Sequence, residues 1–168
     1  MTGIVVADAG PLIALSRIDR LALLNALYGP VAVPAAVFSE LRVDSDRPGA
    51  RALSAAFARG AIESRPLATG SEDALARMSR ALDPGEASAI LLAEQLQARF
   101  LLMDERRGRQ VARARGIPVV GVAGVLLAAK RSGFLGSVGA SLAELSRHRY
   151  RLSDALVQEV LRLAGELD

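Results

Sequence analysis

The chain contains no cysteine, one histidine (His148) and one lysine (Lys130), and only 4% of its 168 residues are aromatic. The missing thiols exclude disulfides, thiolate nucleophiles and zinc–thiolate sites. A single histidine removes catalytic and metal sites built on paired imidazoles. No basic segment followed by an apolar run opens the sequence, so a secretory signal is not expected and a cytoplasmic protein is the default. The charge-free stretch Gly116–Ala129 is shorter than the roughly 20 apolar residues a membrane-spanning helix needs. What is abundant is apolar residues, at 51%, and arginine, which supplies all but one of 21 basic side chains against 18 acids. A chain of this length can bury a substantial core as one domain. The net charge of +3 is small. The planar guanidinium fork is nevertheless suited to phosphate. Arginines cluster at Arg106, Arg107, Arg109, Arg113 and Arg115, and again at Arg147, Arg149 and Arg151.

Periodicity predicts alternating short strands and helices. Strands are expected at 3–7, 31–33, 61–64, 100–103 and 118–120. Helices are expected near 11–17, 20–27, 34–42, 50–59, 72–81, 83–97, 105–115, 122–132, 137–146 and 153–164. Such alternation implies a parallel sheet covered on both faces. Two of the strands, Ile4-Val5-Val6-Ala7 and Phe100-Leu101-Leu102-Met103, are continuous apolar runs that end on an acid, Asp8 and Asp104. Residues just past the carboxyl ends of parallel strands border the crevice where ligands bind. Two carboxylates there invite a shared divalent cation, and Glu40 and Glu86 lie in segments able to reach the same crevice.

Each acid also has a plainer role open to it. Asp8 and Asp104 could cap the helices that follow them. Glu40 could be a surface residue at the margin of its helix. Asp83-Pro84-Gly85-Glu86 reads as a capping box with proline at the first helical position. Tyr150 and Phe134 could stack on bases, though packing suits such scarce aromatics better. His148 reads as a surface residue without a catalytic role.

The segments Val6-Ala7-Asp8-Ala9-Gly10-Pro11-Leu12-Ile13-Ala14-Leu15, Val33-Pro34-Ala35-Ala36-Val37-Phe38-Ser39-Glu40-Leu41, Leu82-Asp83-Pro84-Gly85-Glu86-Ala87, Leu102-Met103-Asp104-Glu105-Arg106-Arg107-Gly108-Arg109 and Gly121–Lys130 occur in this order. Together they resemble the PIN-domain family, most nearly its small VapC-type toxins of toxin–antitoxin pairs. The resemblance implies a single three-layer α/β/α domain with a central parallel sheet over 1–168, the C-terminal helices (about 137–164) packed on it. It implies a metal-dependent endoribonuclease that uses Mg²⁺ or Mn²⁺ to cleave single-stranded RNA. The metal-site acids would be Asp8, Glu40, Glu86 and Asp104, with Glu105 as an additional ligand. A cognate antitoxin protein and a homodimer are implied as partners. Two positions depart from the family pattern: Gly10 stands where Ser or Asn is common, and Met103 where Thr or Ser is.

Helical spacing places Arg106, Arg109 and Arg113 on one face, where they could contact the RNA backbone or simply meet solvent. A haloacid-dehalogenase-type phosphatase would need a second aspartate at Gly10, and a receiver domain an acidic pair at Ala7-Asp8. A dinucleotide fold would need a glycine-rich turn after the first strand. The remaining alternative is a PIN-like module that binds RNA or an antitoxin without turnover.

Overall fold

The structure is a computed structural model that describes residues 3–167; Met1, Thr2 and Asp168, which belong to the expected 1–168 domain, lie outside the described residues. The chain runs β1 (Val5–Ala7), α1 (Ala9–Arg17), α2 (Ala22–Tyr28), β2 (Val31–Val33), α3 (Ala35–Leu41), α4 (Ala50–Ala58), β3 (Ile62–Ser64) and α5 (Glu72–Met78). It continues through α6 (Pro84–Gln95), β4 (Phe100–Leu102), α7 (Arg106–Ala114), β5 (Val119–Val120), α8 (Val122–Arg131), α9 (Val138–Arg147) and α10 (Asp154–Leu163). These are the elements that periodicity predicts, with ends shifted by a few residues.

The five strands form one all-parallel sheet in the order β3-β2-β1-β4-β5. The chain builds outward from β1 to β3, then returns to the other side of β1 for β4 and β5. This reversal puts the topological switch point between β1 and β4, and crevices form at such points beyond the strands' carboxyl ends. Val5, Val6 and Ala7 pair in register with Phe100, Leu101 and Leu102. The Asp8 N–H extends the ladder to the Leu102 carbonyl at 2.9 Å. The two acids at the strand ends are therefore delivered side by side.

Every residue of β1, β2 and β4 is buried, as parallel strands between two helical layers must be. The architecture is the expected three-layer α/β/α fold with a central parallel sheet. Helix α6 is buried continuously from Ala87 to Ala93, the mark of a central core helix rather than an amphipathic surface one. It packs on β1, β4, α3 and α7 and so fixes its own N-terminus at the crevice. On another side α8 contacts α2, and α9 and α10 pack on α8 and on each other. The charge-free stretch Leu21–Ser39, longer than Gly116–Ala129, is divided among α2, β2 and α3. No helix among the described residues is long and apolar enough to cross a membrane.

Candidate active site

Six carboxylates line one cleft of about 400 Å³ at the switch point: Asp8, Glu40, Asp83, Glu86, Asp104 and Glu105. They come from four segments, the turn after β1, α3, the start of α6 and the β4–α7 turn. Two larger grooves, of about 620 and 750 Å³, border the C-terminal helices, but they are more apolar and carry one and two acids respectively. The ionisable chemistry is concentrated in the smaller cleft.

Asp8 occupies the N-cap position of α1 with extended backbone, yet its side chain makes no capping hydrogen bond. The capping role that its sequence position allowed is not what it does. It is 8% exposed, and burial pushes its pKa up to about 7. The Ala9 N–H opposes that shift, and the charges of Asp83, Glu40 and Glu105 add to it. Glu40 lies exposed on α3 but turns toward the start of α6, where a Cβ at Gly85 would collide with its carboxylate. Glycine at position 85 leaves the room that this close approach requires. Partial desolvation, then Asp83, raises the Glu40 pKa.

Glu86 does close the capping box. Its N–H donates to Asp83 Oδ1 at 2.8 Å, and its Oε2 accepts from the Asp83 N–H at 3.3 Å. It also faces the cleft, and its pKa is pushed up to about 7 by burial and then by Asp83. The two roles foreseen for Glu86 are thus compatible in space.

Asp104 is not the N-cap of α7. Glu105 is, accepting from the Gly108 N–H at 2.7 Å. This frees the Asp104 carboxylate to cross the crevice, where Oδ2 accepts from the Val122 N–H at 3.1 Å at the start of α8. The same oxygen accepts a hydrogen bond from the Tyr150 hydroxyl. Gly121 leaves space for Asp104 as Gly85 does for Glu40. Tyr150 therefore has more than the packing role its scarcity suggested; burial, then Asp104, raises its pKa strongly.

Met103 is fully buried, its sulfur against Gly108, so it offers Asp104 no hydroxyl. The donors come from Val122 and Tyr150 instead. At Gly10 a Cβ would meet nothing within 4 Å, so its lack of a side chain leaves open space.

The N-termini of α1, α6, α7 and α8 all border this acidic group. Their unpaired N–H groups and dipoles favour negative charge, which is how the fold tolerates so many acids. Glu86, Asp104 and Glu105 are each turned onto such backbone donors. Among the described residues no three acids converge as a ready-made metal cage.

Of the arginines after Asp104, Arg109 donates to the Met103 carbonyl at 2.8 Å and so braces the β4–α7 turn. Burial, then Arg113, lowers its pKa. Arg106 and Arg109 border the 750 Å³ groove, of which Arg113 is not a lining residue. Arg106 and Arg113 are exposed, and Arg115 pairs with Glu94 at 2.7 Å. His148 is exposed and Phe134 is 53% exposed.

Four lining residues lie outside the expected set of site residues: Asp83, Arg149, Tyr150 and Arg151. Asp83 was visible only as a cap. The other three form the α9–α10 connection, which reaches over the cleft. Helix α9 ends in a Schellman motif, with Arg149 N–H on the Ser146 carbonyl and Tyr150 N–H on the Leu145 carbonyl, each at 3.0 Å. The left-handed position of that motif, usually glycine, is Arg149 with φ 61°. A non-glycine residue there costs about 1–2 kcal/mol.

A PIN-domain family model matches residues 4–166, nearly the whole chain. The protein belongs to the PIN-domain family. PIN domains are generally nucleases and typically use divalent metals. No curated protein and no solved structure gives a significant match.

Proposed function

We propose that this chain acts as a single-domain, metal-dependent endoribonuclease on single-stranded RNA, in the role of a toxin paired with a cognate antitoxin. A homodimer and a cytoplasmic setting belong to the same reading. The observation that carries it is the gathering of six carboxylates beside the adjoining ends of β1 and β4. The donor set is all oxygen, without histidine or cysteine, and suits a hard cation such as Mg²⁺ or Mn²⁺. Asp8, Glu40, Glu86, Asp104 and Glu105 would hold it. When bound, the cation would supply positive charge to the phosphate and the leaving oxygen and make water more acidic.

The chain's own groups have separable tasks. Asp8, whose side chain makes no capping hydrogen bond, is free to turn to a cation. Asp104 is held in place by Tyr150 and Val122. Glu86 is fixed by its cap. The tie between Tyr150 and Asp104 also favours a second reading, a binding module whose acid is permanently engaged. Cleavage assays separate the two. The purified protein should cut single-stranded RNA with Mg²⁺ or Mn²⁺ and stop in EDTA. Cation at a hundredfold excess over Kd should stabilise the fold by about 2.7 kcal/mol, roughly 5–10 °C in Tm for a domain of this size. Neither cation-dependent cleavage nor a cation-dependent Tm would leave only the binding module.

Glu86→Gln tests whether this acid does more than cap. Glutamine can still accept the Asp83 N–H but carries no charge. Tm should change by a few degrees at most, while the cleavage rate falls at least about tenfold, or about 1.4 kcal/mol in the barrier. Wild-type cleavage by this variant would reduce Glu86 to a cap.

A further inference from the structure

A nucleic-acid strand entering a cleft walled by six carboxylates meets like charge on every side. Something must hold its phosphates at the cleft itself, where the arginines after Asp104 do not reach: Arg106 borders only the adjoining groove, Arg109 is tied to the Met103 carbonyl and Arg113 lines neither space. Arg149 and Arg151 differ on each count. Both line the acidic cleft, and Arg151 also lines the neighbouring 750 Å³ groove, which shares Asp104 with it. Both are exposed. Among the described residues neither guanidinium makes an ion pair or a hydrogen bond, although six carboxylates border the same space. Their charge remains free for an anion.

Their placement is fixed from two sides. The Schellman turn anchors Arg149 to the end of α9, and the Tyr150 hydroxyl between the two arginines is bound to Asp104. Arginine, and not the glycine that this left-handed position favours, stands at residue 149.

We propose that Arg149 and Arg151 form a phosphate clamp, gripping the backbone of a single-stranded nucleic acid where it passes from the groove beside α7 and α10 into the acidic cleft. The clamp rests on the nuclease reading of that cleft for its substrate class. Bidentate guanidinium–phosphate contacts hold a strand irrespective of base, so these two are positioning residues.

The test is fluorescence anisotropy of a labelled oligouridylate, titrated with protein in Ca²⁺ at several salt concentrations. Arg149→Gln/Arg151→Gln should bind roughly a hundredfold more weakly, about tenfold for each charge-assisted contact. Its log–log salt slope should be shallower by about 1.4, or about 0.7 per contact. Arg149→Gly separates contact from fold: it suits the left-handed turn, so Tm should stay level or rise while affinity drops. Wild-type affinity and salt slope in the double variant would overturn the clamp, as would a wild-type protein that does not bind the strand. Wild type that binds through these arginines but cuts no RNA with Mg²⁺ or Mn²⁺ supports the clamp and removes the nuclease reading. Cleavage by wild type with unaltered binding by the double variant does the reverse.

Discussion

Asp8→Asn should make the protein more stable above neutral pH, in EDTA, while reducing cleavage at least a hundredfold. Burial holds the Asp8 carboxyl at a pKa of about 7, against 3.8 for an ordinary aspartate. Between those values the folded chain binds a proton that the unfolded chain has released. Stability therefore falls as pH rises from about 4 to about 7 and then levels off. At about 1.4 kcal/mol per unit, the ionised carboxylate costs the fold on the order of 4 kcal/mol above pH 7, an upper figure that local relaxation reduces. Asparagine removes the charge at nearly constant volume. At about 2–4 °C per kcal/mol, Tm should rise by up to roughly 8–16 °C at pH 8 and change little near pH 4. Glu86, also raised to about 7, gives a residual slope of the same sign. Differential scanning fluorimetry across that range decides. A variant that melts below wild type at pH 8, with an equally steep pH dependence, would show that Asp8 does not carry this strain.

That strain was only half legible in the sequence. Apolar runs ending in Asp8 and Asp104 announced two buried strands with acids at their tips, because full burial of a parallel strand demands unbroken hydrophobicity. The sequence could not say that these strands are neighbours; the β3-β2-β1-β4-β5 order decides that. It also left caps and ligands indistinguishable. A side chain at an N-cap position can turn either to the backbone or to the crevice, and Asp8 and Glu105, both at such positions, chose differently. Asp83 was readable as a cap because capping is local, while its second exposure to the cleft depends on how α6 packs. Tyr150 was the least legible. It reaches Asp104 across 46 residues, and that pairing follows from α9 and α10 docking on α8, of which no local pattern carries a trace. Gly85 and Gly121 read as an ordinary first-turn residue and an ordinary helix start. Their role is the room they leave for Glu40 and Asp104.

Asp104→Asn and Tyr150→Phe should separate charge from attachment at one hydrogen bond. Asp104 Oδ2 accepts from both the Val122 N–H and the Tyr150 hydroxyl. The amide oxygen of asparagine can accept both, so the strap between α9 and α10 stays in place and Tm should move by only a few degrees. What disappears is a negative charge in the cleft. If that charge helps to hold a cation, cleavage should fall at least about a hundredfold, or about 2.7 kcal/mol in the barrier. Tyr150→Phe keeps the carboxylate and removes its donor. A hydrogen bond to a charged group contributes about 1.5–3 kcal/mol, and its loss in a domain of this length lowers Tm by roughly 3–12 °C. Cation-dependent cleavage should survive in the phenylalanine variant, with a higher KM because the strap is less firmly held. Melting curves with and without Mg²⁺, beside steady-state cleavage, give all the quantities needed. Full activity in Asp104→Asn would remove this residue from the metal-site acids, whatever Tyr150→Phe does to stability.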